Sequence, residues 1–103
     1  MAKQVQKNTL SNAEAASFCS QMGMILHAGI SAIEGITIMK EDAASPQEAA
    51  ILESIYDEFM KTGNFYEALK NSGVFPSYLL NMVRLGEQSG RLDEVMHALA
   101  AYY

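Results

Sequence analysis

Apolar residues recur along this chain every three or four positions, which is the spacing of one face of an α-helix. Similar stripes follow one another through residues 49–59, 79–83 and 92–102, after a first stripe made of Ala15, Phe18, Cys19, Met22, Ile25 and Leu26. No segment alternates convincingly between apolar and polar residues with the period of two that a half-buried strand requires. The pattern therefore predicts an all-α fold.

Polar residues at the starts of these stripes divide the chain into separate helices. A Ser or Asn followed three residues later by Glu is a capping box, in which each side chain binds a backbone N–H of the other residue. The third of these starts also has Pro46 at the first helical position, where its missing N–H does no harm. The predicted starts are Ser11–Glu14, Ser31–Glu34, Ser45–Glu48 and, as a weaker case, Asn64–Glu67.

Glycine and proline mark where the helices end. A glycine just past a helix often takes the left-handed conformation, and the residue before a proline is pushed away from the helical region, as in Phe75-Pro76. The glycines expected in this role are Gly29, Gly63, Gly73 and Gly90. We predict a compact six-helix bundle with short connections, after a flexible leader at residues 1–10. The domain spans 11–103, with helices at 12–27, 32–41, 46–62, 65–71, 77–89 and 91–102.

Residues 22–39 are apolar enough to be mistaken for a membrane span. They contain Glu34, which would cost a few kcal/mol near the middle of a bilayer, and Gly29 precedes a new helix start. We therefore predict two helices joined by a turn. For the terminal pair Tyr102 and Tyr103 two interpretations stay open, a membrane interface and a cap on the core.

Charge and cysteine content exclude some classes of partner. The net charge of −5 argues against nucleic acid or an anionic membrane surface as the main ligand and leaves a basic protein partner possible. One cysteine in 103 residues cannot form an internal disulfide, and the first ten residues lack the apolar core of a secretory signal.

The candidate reactive residues do not converge. Cys19 and His27 lie on one helix about 12 Å apart along its axis, too far for a nucleophile and its base. His97, beside Asp93 and Glu94, is typical of helix-surface electrostatics, and the chain lacks ligands for a tetrahedral metal site. We predict no enzymatic activity, no small-molecule substrate and no firm cofactor. The methionines are expected mainly in the core, with an adaptable docking surface as the alternative.

Several ordered motifs make the chain resemble a known family. The segment 17–39, with Phe18 followed by Ala28-Gly29-Ile30, is one part of the resemblance. The other is residues 60–103, which contain Phe75-Pro76, Gly86-Glu87, Ser89-Gly90 and Leu92 in that order. Over residues 11–103 the chain is similar to the cytoplasmic domain of the type II secretion system F family, which also occurs in type IV pilus and competence systems.

The resemblance implies a function that the residues alone do not reveal. Proteins of this family are inner-membrane platform proteins, usually with two copies of the domain. They are non-enzymatic scaffolds that couple a cytoplasmic ATPase to the assembly of pilin or pseudopilin. By this resemblance the chain lies at the cytoplasmic face of the inner membrane and binds the ATPase and other assembly proteins, with a homodimer as a further possibility. We predict that it is one excised domain of such a protein.

The motif Gly86-Glu87-Gln88-Ser89-Gly90 raises a physical question, because it brackets a carboxylate with two helix-weakening glycines. Gly86 would let another helix approach closely, and Gly90 would end the fifth helix. Glu87 is expected to accept free N–H groups at the start of the sixth helix as a brace. Alternatively it contacts a partner, or holds Ca²⁺ together with Asp93 or Glu94 of a second copy.

Two other classes of function remain as alternatives at this stage. A soluble helical-repeat adaptor is the first. The similar segments GNFYEAL and GRLDEVM, which begin at residues 63 and 90, are interpreted as two similar turn-to-helix starts. Their separation is shorter than the period of about 34 residues in tetratricopeptide repeats. A small enzyme would need a polar pocket with a perturbed titratable pair, and the sequence contains no convergent set.

Overall fold

The computed structural model describes residues 9–103, and within that range it contains six α-helices and no strand. The helices are α1 (Asn12–His27), α2 (Ala32–Glu41), α3 (Pro46–Thr62), α4 (Phe65–Ser72), α5 (Ser77–Ser89) and α6 (Leu92–Tyr102). The all-α prediction is therefore confirmed. Most of the predicted leader, residues 1–8, lies outside the described residues.

The predicted helix bounds are confirmed except at two ends, each by one residue. Helix α4 continues to Ser72 before Gly73 ends it, and α6 begins at Leu92 because Arg91 has φ −121° and ψ 32°, outside the helical region. The four glycines expected beyond helix ends all have positive φ, namely Gly29, Gly63, Gly73 and Gly90.

The capping boxes form as predicted at two of the four starts. Ser11 with Glu14 and Ser31 with Glu34 each make both reciprocal hydrogen bonds. At α3 the prediction of a full box is wrong, because the Glu48 carboxylate accepts from the N–H of Ala44 instead of Ser45. The extended backbone of Ser45, with φ −148°, turns its N–H away from the first turn.

The helices form a closed ring in which each one packs mainly on two neighbours. Consecutive helices contact one another throughout, and α1 also packs on α6 in the most extensive contact of the molecule. Short connections make neighbours run in opposite directions. Helices α1 and α6 accordingly pack antiparallel, with His27 near Asp93 at one end of the bundle.

The core fills the inside of this ring. Every helix contributes to it, because each sequence stripe turns its apolar side inward. Side chains with no more than 1% exposure come from every helix, including Met22, Ile36, Ile55, Phe65, Leu79 and Met96. Phe18 and Phe75 pack against each other with ring centroids 4.9 Å apart.

Residues 22–39 form two helices, as predicted from their internal turn. Helix α1 ends at His27 and α2 begins at Ala32. Among the described residues, no helix combines the length and the hydropathy that crossing a membrane requires. Near the start of the described residues 9–103, Leu10 packs on the core and its N–H donates to the Val74 carbonyl at 2.8 Å.

Candidate functional site

Gly86 allows α5 and α6 to approach each other closely. A Cβ at this position would lie 2.8 Å from Cγ2 of Val95 and 3.3 Å from Cα of Leu92. Real Cβ atoms essentially never come as near as the first of these distances, so any side chain would force α6 outward. The sequence predicts this close helix approach, and the geometry confirms it.

The end of α5 is built by the next four residues. Gly90 has φ +74°, which a residue with a side chain rarely adopts, and the N–H of Arg91 donates to the Gly86 carbonyl at 2.8 Å. The Ser89 hydroxyl donates to the Leu85 carbonyl at 2.9 Å. Together these bonds turn the chain within a few residues, so that α6 packs back on α5.

Glu87 joins α5 to α4, which corrects the expectation that it faces the start of α6. Its Oε2 accepts the N–H of Phe65 at 2.7 Å and its Oε1 accepts the N–H of Tyr66 at 2.9 Å. These are the first two residues of α4, whose N–H groups have no partner inside the helix. Glu87 points to α4 because α6 already packs on the Gly86 side of α5.

The start of α4 is thereby saturated with acceptors. The Asn64 side chain takes the N–H of Glu67 at 2.8 Å, next to the two N–H groups held by Glu87. A negative charge here also meets the positive end of the α4 dipole. The neighbouring Tyr66 ring lies near two cations, with Arg84 Cζ at 5.7 Å and Lys70 Nζ at 5.9 Å from its centroid.

The remaining motif residues have structural positions. Phe75 is buried, and Pro76 precedes α5 with an extended backbone at φ −65° and ψ 152°. Gly29, with φ +86°, lies in the turn between α1 and α2, and Leu92 is the first residue of α6. Whether any of them also contacts a partner stays a prediction.

The structure places Cys19 in the core and both histidines at the surface. Cys19 is completely buried, and this desolvation raises the pKa of its thiol to about 12, which keeps it protonated. His27 and His97 lie at the junction of α1 and α6 with ring centroids 5.9 Å apart. His27 Nδ1 is 3.9 Å from Asp93 Oδ2, and His97 Nδ1 is 2.9 Å from the Asp93 carbonyl.

The residues suggested for Ca²⁺ are only partly brought together within one chain. Glu87 and Asp93 line the same shallow depression of about 290 Å³, whereas Glu94 pairs with Arg91 at 3.5 Å. Both oxygens of Glu87 already bind α4. Among residues 9–103, no group of three potential ligands is placed to hold a metal. Binding of Ca²⁺ between two copies stays a prediction.

The methionines and terminal tyrosines divide between core and surface. Met22, Met39 and Met96 are buried, whereas Met24 and Met60 are 61% and 63% exposed. Tyr103 packs on the core, and its burial raises the pKa of its hydroxyl. Tyr102 is largely exposed and lies 4.7 Å from the Tyr78 ring. The structure therefore shows Tyr103 packed on the core, and the membrane-interface interpretation of the pair stays a prediction.

Two close helix contacts have no counterpart in the sequence-based predictions. At Gly23, a Cβ would meet His97 Nδ1 at 3.2 Å, and at Gly35 it would meet Ile25 Cγ2 at 3.0 Å. Gly23 on α1 lets α6 approach α1 closely, and Gly35 on α2 lets α1 approach α2 closely. The available signal is a glycine inside a predicted helix, which commonly has a packing reason.

Comparison with known proteins identifies a matching family model and similar proteins. A family model described as type II secretion system (T2SS), protein F matches residues 18–103. The Escherichia coli K12 protein named "Protein transport protein HofC homolog" is 34% identical over 88 residues, covering 84% of this chain and 22% of the relative. The "Type 4 fimbrial assembly protein PilC" of Pseudomonas putida is 30% identical, covering 82% of this chain and 21% of the relative. The "Type IV pilus assembly protein PilC" of Thermus thermophilus is 29% identical, with 84% and 21% coverage.

The six-helix domain described above is thus matched by that family model from residue 18 to residue 103. The chain belongs to the type II secretion system protein F family, because the family model covers more than half of it. It spans about one fifth of the length of these relatives.

Proposed function

We propose that this chain is a non-enzymatic scaffold domain of an inner-membrane platform protein in type II secretion or type IV pilus assembly. In this proposal the domain lies on the cytoplasmic side of the membrane. Its contacts with an assembly ATPase couple that motor to the assembly of pilin or pseudopilin, and it can associate with a second copy. The observation that carries the proposal is the family match over residues 18–103.

The relatives support the type of machine. Their names describe protein transport, type 4 fimbrial assembly and type IV pilus assembly. A soluble repeat adaptor, the alternative from the sequence, would not explain why all three relatives have names from protein transport or pilus assembly. The activity of the whole protein is part of the proposal, since the chain corresponds to about one fifth of each relative.

The architecture supports mechanical coupling. Each helix of the ring is held by two neighbours, and the α4–α5–α6 side is tied by the Glu87 hydrogen bonds and the close contact at Gly86. A tightly packed body of this kind moves as one unit, because packed interiors transmit strain instead of absorbing it. The proposed domain therefore passes displacement from one partner to another without a chemical step.

The titratable groups also favour a scaffold over a catalyst. Apart from Tyr103, clear pKa shifts occur at Cys19, which is buried in the core, and at Lys40, whose pKa is raised by its hydrogen bond to Glu53 at 2.8 Å. Each shift has its own local cause. A catalytic site would instead need shifted groups that converge in one pocket.

The proposal is tested with the purified chain and the assembly ATPase encoded by the same organism. We expect saturable binding measured by biolayer interferometry, with an affinity that differs between the ATP-bound and ADP-bound motor. In cells, removing residues 11–103 in frame from the parent gene should abolish secretion or piliation, and restoring them should recover it.

A matched control separates folding from contact. The double variant Met24→Gln and Met60→Gln changes two exposed apolar residues on different helices and should leave the fold intact, as judged by circular dichroism. If the chain neither binds the ATPase nor self-associates, and the in-frame deletion leaves secretion and piliation normal, the scaffold role is wrong.

A further inference from the structure

One helix of the closed ring covers only part of the bundle's length, because α2 is much shorter than its neighbours α1 and α3. Helix α2 has 10 residues, whereas α1 has 16 and α3 has 17. At 1.5 Å per residue, α2 is roughly 9–10 Å shorter than α1 or α3. A groove of about 800 Å³ opens between α1 and α3 where α2 is missing.

The floor of this α1–α3 groove is apolar. Phe18 from α1, Met39 from the last turn of α2 and Phe75 before α5 line it, and α3 adds the half-buried Ile51. These residues belong to the core or pack directly on it, so the floor is rigid. Space bounded by two helices over an apolar floor is the geometry that accepts an amphipathic helix.

The walls of the groove are acidic and polar. Glu14 on α1 and Glu48 on α3 line its two sides, and none of the described lining residues is Lys, Arg or His. The whole chain has a net charge of −5, so the long-range field also favours a cation. The exposed side of α5 and α6 differs, because there Arg91 pairs with Glu94 at 3.5 Å.

We propose that the α1–α3 groove binds a short amphipathic helix of a protein partner, whose apolar side faces Ile51 and Phe75 and whose Lys or Arg side chains meet Glu14 and Glu48. The bound helix continues the line of α2 and fills the groove between α1 and α3. This inference does not depend on the platform role, since it rests only on the shape and charge of the groove.

The probe is a synthetic peptide of about three helical turns, with leucines on one side and lysines on the other, labelled for fluorescence anisotropy. The matched peptide carries Glu in place of each Lys. We expect the lysine peptide to bind at least tenfold more tightly than the glutamate peptide. Raising the salt concentration should weaken that binding, because exposed charge pairs are screened.

Two matched arginine variants of the protein test the location. Ala50 is exposed on α3 and lines the groove, whereas Ala98 is exposed on α6 and does not line it. Ala50→Arg adds bulk and positive charge at the site, so binding of the lysine peptide should fall at least tenfold. Ala98→Arg makes the same change elsewhere and should alter binding less than twofold.

The acidic walls are tested by the double variant Glu14→Gln and Glu48→Gln, which keeps oxygen acceptors for the caps. We expect about three- to tenfold weaker binding, the range for two partly exposed charge pairs. The control is Asp57→Asn with Glu94→Gln, two exposed carboxylates that do not line the groove. An equal loss in the two double variants would mean that only net charge matters, which overturns the proposal.

Two further outcomes would also overturn it. If Ala98→Arg weakens binding more than Ala50→Arg, the peptide binds the α5–α6 side instead. If a chain lacking residues 1–8 binds the peptide at least tenfold more tightly, the chain's own leader, with Lys3 and Lys7, competes for the groove and is its occupant. We expect that deletion to change binding less than twofold.

Discussion

The first three helices and the last three begin in different ways. Helices α1, α2 and α3 each start with a serine that caps the first turn and a glutamate from the same turn that takes a nearby backbone N–H. Helices α5 and α6 have no side-chain cap, and α4 receives two of its acceptors from Glu87, more than 20 residues away. In the α1–α3 region the helix starts are thus stabilised locally, whereas in the α4–α6 region they depend more on tertiary contacts.

This difference indicates where the stability of each region comes from. A local cap contributes about 1 kcal/mol whether or not the rest of the fold is present. The contacts at Gly86 and Glu87 exist only when α4, α5 and α6 are already assembled. Substitutions at the motif residues should therefore destabilise the α4–α6 region more than cap removal destabilises the α1–α3 region.

The largest effect is expected for Glu87→Ala. This change leaves the N–H groups of Phe65 and Tyr66 without their acceptors in a partly buried position. We expect the free energy of unfolding to fall by about 2–4 kcal/mol, measured by urea denaturation.

Two variants of the same helix start serve as controls for this change. Glu87→Gln keeps one carbonyl acceptor and should cost about half as much. Asn64→Ala removes the local cap on Glu67 and should cost about 1 kcal/mol. If Asn64→Ala proved more damaging than Glu87→Ala, the distinction between local and tertiary organisation would not hold for α4.

The next effect is expected for Gly86→Ala. The added Cβ would clash with Val95, and overpacking of this kind costs about 1–3 kcal/mol, partly offset by the better helix propensity of alanine. The measurement is again urea denaturation. In a double-mutant cycle, Val95→Ala should recover part of the loss, because it removes the Cγ2 atom in the clash. Strictly additive effects would show that the two helices are not in close contact there.

A pH-dependent effect is expected from Cys19, on the helix that joins the two regions. Its pKa is raised from 9.0 to about 12 by burial, so above pH 9 the unfolded chain loses the thiol proton while the folded chain keeps it. The contribution of the protonated Cys19 thiol to stability is therefore fully present below pH 9 and is lost as pH rises towards 12. At pH 10 the loss is on the order of 1 kcal/mol.

The control for this pH effect is Cys19→Ala, compared with the unmodified chain by thermal unfolding between pH 8 and pH 10. The alanine variant is less stable at every pH because of the lost volume, but its stability should fall less steeply. Parallel curves for the two proteins would contradict a buried, protonated thiol.

The smallest effect is expected for Ser31→Ala at the start of α2. Loss of this local cap should reduce the free energy of unfolding by about 1 kcal/mol, measured by urea denaturation. Ser31→Asp keeps an acceptor and should be nearly neutral. A loss larger than that of Gly86→Ala would reverse the comparison between the two regions.

The same contrast explains how much could be predicted from the sequence. The Ser11–Glu14 and Ser31–Glu34 boxes and the αL glycines are decided within a few residues, so the helices were predicted to within one residue. The partner of Glu87 was predicted wrongly, because the sequence gives no indication of which face of α5 meets α4. Packing of Gly23 on His97 likewise requires the arrangement of distant helices.

The contact between α1 and α6 has a mechanical consequence. This contact closes the row of helices into a ring. A force applied to any one helix therefore reaches the opposite side by two routes instead of one. An open row of helices would bend at its weakest helix–helix contact. A closed ring resists that bending, because both of its sides carry the force. Deleting α6, one of the two helices that close the ring, should therefore make the whole domain less rigid, including parts far from α6.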